Sequence, residues 1–120
     1  SKDADGFFIG EGAGALVLKM HGDSYGSGRA YATIDSMVAG KDIYSCATKA
    51  LEQANISRDS VEMIDVSGLS SDFMKVNTNC ITAEAEVNTL GEVYKSARRS
   101  VSISSVQGNI GHTGYASGAA

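Results

Sequence analysis

Over 13–20 the chain reads AGALVLKM, apolar and almost unbroken, the pattern of a strand buried on both faces. The next eight residues, HGDSYGSG, are glycine, serine and aspartate in turn-forming density. Over 30–38 (AYATIDSMV) small or apolar residues alternate with polar ones, and Tyr31, Thr33 and Ile34 add strand propensity. The two runs and their turn predict a hairpin. After Gly40 the period changes: Ile43, Cys46, Ala47, Ala50, Leu51 and Ala54 form one stripe of an amphipathic helix. Asp42 is placed to cap its first amides, and Asn55 to end it in the left-handed conformation.

A short alternating strand follows over 61–66 (VEMIDV). Residues 67–80 (SGLSSDFMKVNTNC) are polar and without period, long for a connection inside a compact domain, which marks a functional or interaction loop. From Thr82, the positions Ala83, Val87, Leu90, Val93 or Tyr94, and Ala97 predict a second helix. Glu84 and Glu86 lie in its first turn, and Lys95, Arg98 and Arg99 are expected at its end, as the helix dipole favours. Residues 101–106 (VSISSV) read as a last strand, followed by a loop and the start of a small-residue helix over 115–120. The expected architecture is α/β: a mixed sheet of about four strands with flanking helices, stopping on an unfinished helix as a piece of a larger fold would.

The 120 residues amount to about one domain. At 42% hydrophobic and 20% charged the composition supports a core and argues against disorder. Ten basic against 14 acidic residues give a net charge of −4, without the positive excess that nucleic acid or an anionic membrane rewards. No apolar run approaches the roughly 18 residues of a membrane span, and no export signal is visible, so neither membrane nor nucleic acid is expected as a partner. Cys46 and Cys80 stand alone, with no second pair for a disulfide framework or zinc site; they read as small apolar fillers in a reduced, cytoplasmic setting. The sequon at Asn55, Ile56 and Ser57 matters only in a secreted protein. Fourteen glycines and no proline leave the turns to glycine.

Two glycine-rich stretches are candidates for chemistry. Gly10, Gly12 and Gly14 suggest a phosphate loop, but a dinucleotide fingerprint needs a strand before and a helix after, whereas these glycines lead into the strand ALVLKM. The competing reading is that they let the backbone pass close to another element, with Glu11 held by buried amides. Gly108, Asn109, Ile110, Gly111 and His112 follow a strand and precede a small-residue helix. Reactive groups of open α/β sheets gather beyond the carboxyl ends of strands, and a histidine there can donate a hydrogen bond to a substrate oxygen, although a lone histidine is more often a structural loop residue. His21, in the expected hairpin turn, lacks metal-ligand spacing to His112.

Taken together the segments resemble a known family. The run from Asp5 to Leu18, DGFFIGEGAGALVL, is similar to the stretch DGFVxGEGAGxLVL of β-ketoacyl synthases. Asn109, Ile110, Gly111 and His112, with Gly-Ala-Ala at 118–120, resemble that family's NIGH motif and the helix after it. The run VEMIDVSG over 61–68 resembles the strand VDYIxAHG. Three motifs in family order across nearly the whole chain make the match specific.

The resemblance implies the thiolase fold, in which two similar βαβαβ halves pack as a sandwich, with this chain (1–120) as the C-terminal half without its last strand. In the family a cysteine on the N-terminal half takes the acyl group as a thioester, and two histidines assist malonyl decarboxylation and carbon–carbon bond formation. The chain departs from that pattern. The first family histidine falls on Ser67, the threonine after it on Leu69, and the lysine five residues before the second histidine on Gln107; His112 alone matches. The interval from Ser67 to His112 is also several residues longer than in the family, with the extra length placed in 70–80. Decarboxylation builds negative charge on the thioester oxygen, and removing one of two donors aimed at it costs about 10²–10³ in rate. A serine hydroxyl is too short to replace the imidazole arm directly.

Such decay within the family is the mark of the chain-length-factor subunit or domain of polyketide synthases and of multienzyme synthases of polyunsaturated fatty acids. The role so implied is shaping the acyl tunnel and pairing with an active ketosynthase domain, on acyl groups delivered on the phosphopantetheine arm of an acyl carrier domain, with no cofactor bound by this chain itself. The alternative is a divergent but active β-ketoacyl synthase using His112, with Ser67 as a weaker donor. A third reading is an interaction module in which Lys95, Arg98 and Arg99 dock an acidic carrier domain, although cations at a helix C-terminus need no such explanation.

Overall fold

A computed structural model describes residues 7–20, 29–68 and 82–119. The expected hairpin turn with His21, most of the loop 67–80 and Cys80 lie outside the described residues. Helix α1 spans Ile43–Ala54. All six residues of the anticipated stripe are half-buried, while Tyr44, Ser45, Lys49, Glu52 and Gln53 are exposed, so the 3.6-residue period sorts the helix into an inner and an outer face. Asp42 caps it: its carboxylate accepts the Ser45 N–H at 2.8 Å. The Ser45 side chain beside the carboxylate, and after it this backbone bond, hold the Asp42 carboxyl below its ordinary range. Asn55 closes the helix at φ 53°.

A 3-10 turn at Arg58–Ser60 leads into strand β1, Met63–Asp65. Helix α2 spans Ala83–Tyr94, with the Thr82 hydroxyl accepting the Ala85 N–H at 3.3 Å. Strand β2 is Ser102–Ser104, and a one-turn helix α3, Gln107–Ile110, follows it. A 3-10 helix then occupies Gly114–Ala119, where small residues predicted the start of an α-helix. β1 and β2 pair in parallel, Met63 opposite Ser102 and Asp65 opposite Ser104. A parallel pair needs a crossover, and α2 supplies it. α1 packs on α2, and the buried apolar side chains among the described residues, Val66, Leu90 and Val93, lie on α2 and just past β1.

The sheet is smaller than the pattern predicted. Among the described residues it holds two parallel strands in place of a mixed sheet of about four. Residues 13–20 and 30–38 form no ladder; Leu16, Val17 and Leu18 are 70%, 89% and 69% exposed, and Tyr31 95%. The apolar run 13–20 calls for cover on both faces, and among the described residues α1 and α2 close on each other instead. Ser36 is tied to α1, its hydroxyl donating to the Ala50 carbonyl at 2.9 Å. The second correction concerns the cations. α2 stops at Tyr94, so Lys95 is its cap and Arg98 and Arg99 lie beyond it, with the Arg98 N–H donating to Asp59 Oδ1 at 2.6 Å.

Candidate functional site

Because β1 and β2 run parallel and in register, the segments that leave them emerge at the same end of the sheet. Asp65, the last residue of β1, reaches across: its Oδ1 accepts the Ser104 hydroxyl at 2.8 Å and the Val106 N–H at 3.2 Å. One carboxylate thereby fixes where β2 ends and where the path to His112 begins. On the β1 side, the Glu86 carboxylate accepts the Ser67 N–H on one oxygen and the Gly68 N–H on the other, both at 3.0 Å. The Ser105 hydroxyl donates to the Ser67 carbonyl at 3.4 Å. Gly68 has φ 63°, and a Cβ there would crowd the Ser105 hydroxyl at 2.9 Å, so both backbone conformation and space favour glycine.

The glycine-rich N-terminal stretch meets the second loop. Ile9 and His112 form a parallel bridge, with the His112 N–H donating to Phe8 O at 2.8 Å and the Gly10 N–H to His112 O at 3.0 Å. A Cβ on Gly10 would run into the Ile110 carbonyl oxygen, and Gly111 takes φ 78° with its own Cβ position 2.9 Å from Gly10 N. Glycines at 10 and 111 let two backbones cross at a distance no other residue allows. This is the close-approach reading of the GEGAG stretch, minus one part: Glu11 is exposed, not held by buried amides.

The crossing sets the His112 ring. Nδ1 lies 3.0 Å from Gln107 Oε1 and 3.3 Å from Ser117 Oγ. Phe7 meets the ring edge-on, centroids 5.5 Å apart at 89°. The structure therefore brings Gln107 and His112 together, while Ser67 sits on the neighbouring loop, joined to theirs through Ser105. Among the described residues no hydrogen bond links Ser67 to His112. Sequence reasoning missed Ser117, Asp65 and Glu86. Glu86 looked fully explained by the helix dipole, and its partners lie 18 and 19 residues away, beyond any local signal. The cations are interleaved with acids: Lys95 pairs with Glu92 at 3.3 Å, and Arg98 and Arg99 share an open cleft with Asp59 and Glu62.

The family model described as the C-terminal domain of β-ketoacyl synthase matches residues 22–120. The chain belongs to the β-ketoacyl synthase family. One component polypeptide of a polyunsaturated fatty acid synthase from Thraustochytrium sp. is 42% identical over 98% of this chain and 6% of its own length. A non-reducing polyketide synthase, mapC, from Penicillium brevicompactum is 29% identical over 98% of this chain and 5% of its own length. The chain thus spans a small fraction of these much longer relatives. No solved structure matches. Membership implies a thiolase-like α/β fold, of which the described residues make a small parallel piece. No helix among the described residues is long and apolar enough to cross a membrane.

Proposed function

We propose that this chain is part of a chain-length-factor-type domain of a polyunsaturated fatty acid or polyketide synthase, supporting acyl-chain elongation without forming the carbon–carbon bond itself. The observation that carries the reading is the pairing at the second loop: His112 has an uncharged amide, Gln107, at its Nδ1 where the family places a lysine five residues earlier, and the first-histidine position is Ser67. Two imidazole N–H donors converging on a developing enolate oxygen are what the condensing reaction uses, and this chain offers one imidazole. Glu86 holds the backbone of Ser67 and Gly68, so the first-histidine position keeps its place while its side chain is a short hydroxyl. Such an arrangement suits a wall for an acyl tunnel beside an active ketosynthase domain, with acyl groups arriving on the phosphopantetheine arm of a carrier domain.

The second reading, a divergent active synthase, draws on the fact that Nε2 of His112 carries no hydrogen bond among the described residues. Acyl loading separates the two. Incubation of the synthase polypeptide that carries this chain with a labelled acyl thioester is expected to leave the domain housing it unlabelled. A stable thioester on a cysteine of that domain would favour the active synthase.

A further inference from the structure

The groups around His112 Nδ1 decide which ring nitrogen holds the proton. The Ser117 hydroxyl has one hydrogen, and its 2.6 Å bond to the Gly114 carbonyl takes it. Toward Nδ1, at 3.3 Å, Ser117 therefore presents only lone pairs. The Gln107 carbonyl oxygen, at 3.0 Å, presents lone pairs as well. Two acceptors facing one ring nitrogen are satisfied only if that nitrogen is N–H. We infer that Gln107 and Ser117 are positioning residues that hold neutral His112 as the Nδ1–H tautomer, so that its unpartnered Nε2 presents a lone pair and accepts a hydrogen bond from an O–H or N–H group of the bound acyl chain or its carrier arm. The inference deepens the proposed function and rests on it for the identity of that ligand.

The chemical consequence is a reversal of role. An Nε2 lone pair cannot donate to a thioester oxygen, so neutral His112 does not stabilise an enolate there. It can orient an amide or a hydroxyl. A lysine at 107 would act in the opposite sense: an ammonium has hydrogens and no lone pair, it would donate to Nδ1, and the ring proton would move to Nε2. The glutamine-for-lysine exchange thus removes a charge and also turns the outward nitrogen from donor to acceptor.

Diethyl pyrocarbonate reads this directly, because it acylates an unprotonated ring nitrogen at a rate set by the population of the tautomer whose lone pair is exposed. The experiment uses the synthase polypeptide carrying this chain at about pH 8, above the ordinary histidine range, with the modified residue located by peptide mass spectrometry, the modified ring nitrogen by NMR of the labelled peptide, and added N-acetylhistidine as the reference for reagent activity. Native His112 is expected to be acylated at Nε2. Gln107→Glu keeps an acceptor at Nδ1 and is expected within about threefold of the native rate. Gln107→Lys is expected to be slower by about ten- to a hundredfold, the factor to which a hydrogen bond from a charged donor converts. A Gln107→Lys rate equal to the native one, or a Gln107→Glu rate as slow as that of Gln107→Lys, would overturn the assignment. Acylation at Nδ1 in the native protein, or no acylation of His112 while the N-acetylhistidine reference reacts, overturns it without any variant. Product formation by the same preparations reports separately on the proposed function, because the modification pattern does not require the domain to turn over.

Discussion

Two carboxylates hold the loops that carry Ser67 and His112: Asp65, inside the motif run 61–68, and Glu86, outside every motif. Asp65 and Glu86 each accept two hydrogen bonds, from Ser104 and Val106 and from Ser67 and Gly68 respectively. Bonds to a charged acceptor are worth about 1.5–3 kcal/mol each, and leaving amides unpaired adds a desolvation cost. Replacing Glu86 with alanine is therefore expected to destabilise the fold by about 2 kcal/mol or more, read as a lower urea midpoint at unchanged slope; an unchanged midpoint would mean the Ser67 loop stands without it. Motif spacing singles out Ser67, Gln107 and His112 in the sequence, and the structure brings the last two together. The roles of Ser117, Asp65 and Glu86 were not legible, since their partners are set by how strands and helices come together and not by a residue pattern. Glu86 in particular had a sufficient local explanation that concealed its tertiary one.

The helices and the strands differ in how far a sequence pattern can carry. The stripe on α1 and the apolar positions of α2 predicted both helices closely, because each finds its cover in the other within one chain. Leu90 is 8% exposed and Val93 1%, so Leu90→Ala is expected to cost about 2–5 kcal/mol by calorimetry or denaturation. The cap of α1 adds a pH signature. Since the Asp42 carboxyl is held below its ordinary value in the folded chain, its contribution is present above the unfolded carboxylate range and is lost as pH falls through the folded value. Asp42→Asn, which keeps an oxygen acceptor and removes the titration, is expected to flatten that part of the acid limb of a stability-against-pH curve; an identical limb in native and variant would refute the cap's role. The runs 13–20 and 30–38 carry strand patterns as clear as the helical ones, yet form no ladder among the described residues. A strand buried on both faces needs a layer on each side, and periodicity reports that need without showing what supplies it.

On the scale of the whole molecule, that unmet need becomes a property. Phe8, Leu16, Val17, Leu18 and Tyr31 are 69% to 95% exposed, more apolar surface than a soluble monomer ordinarily shows. The 120-residue chain by itself is expected to self-associate, with mass by light scattering rising with concentration, and substitution of Leu16 and Leu18 by lysine is expected to reduce the rise; a constant monomer mass over a wide range would contradict this. In the family's fold a second, similar half supplies such a layer, and the relatives that this chain matches are many times its length. The role we propose for this domain there is that of a companion to condensation, not its catalyst. The most direct test is total product and chain-length distribution from the complete synthase with His112→Ala. A companion role predicts total product within about twofold of native, with the distribution of chain lengths altered. A fall in total product of about 10²–10³, the loss expected on removing a donor that stabilises the reacting oxygen, would contradict it and make His112 catalytic.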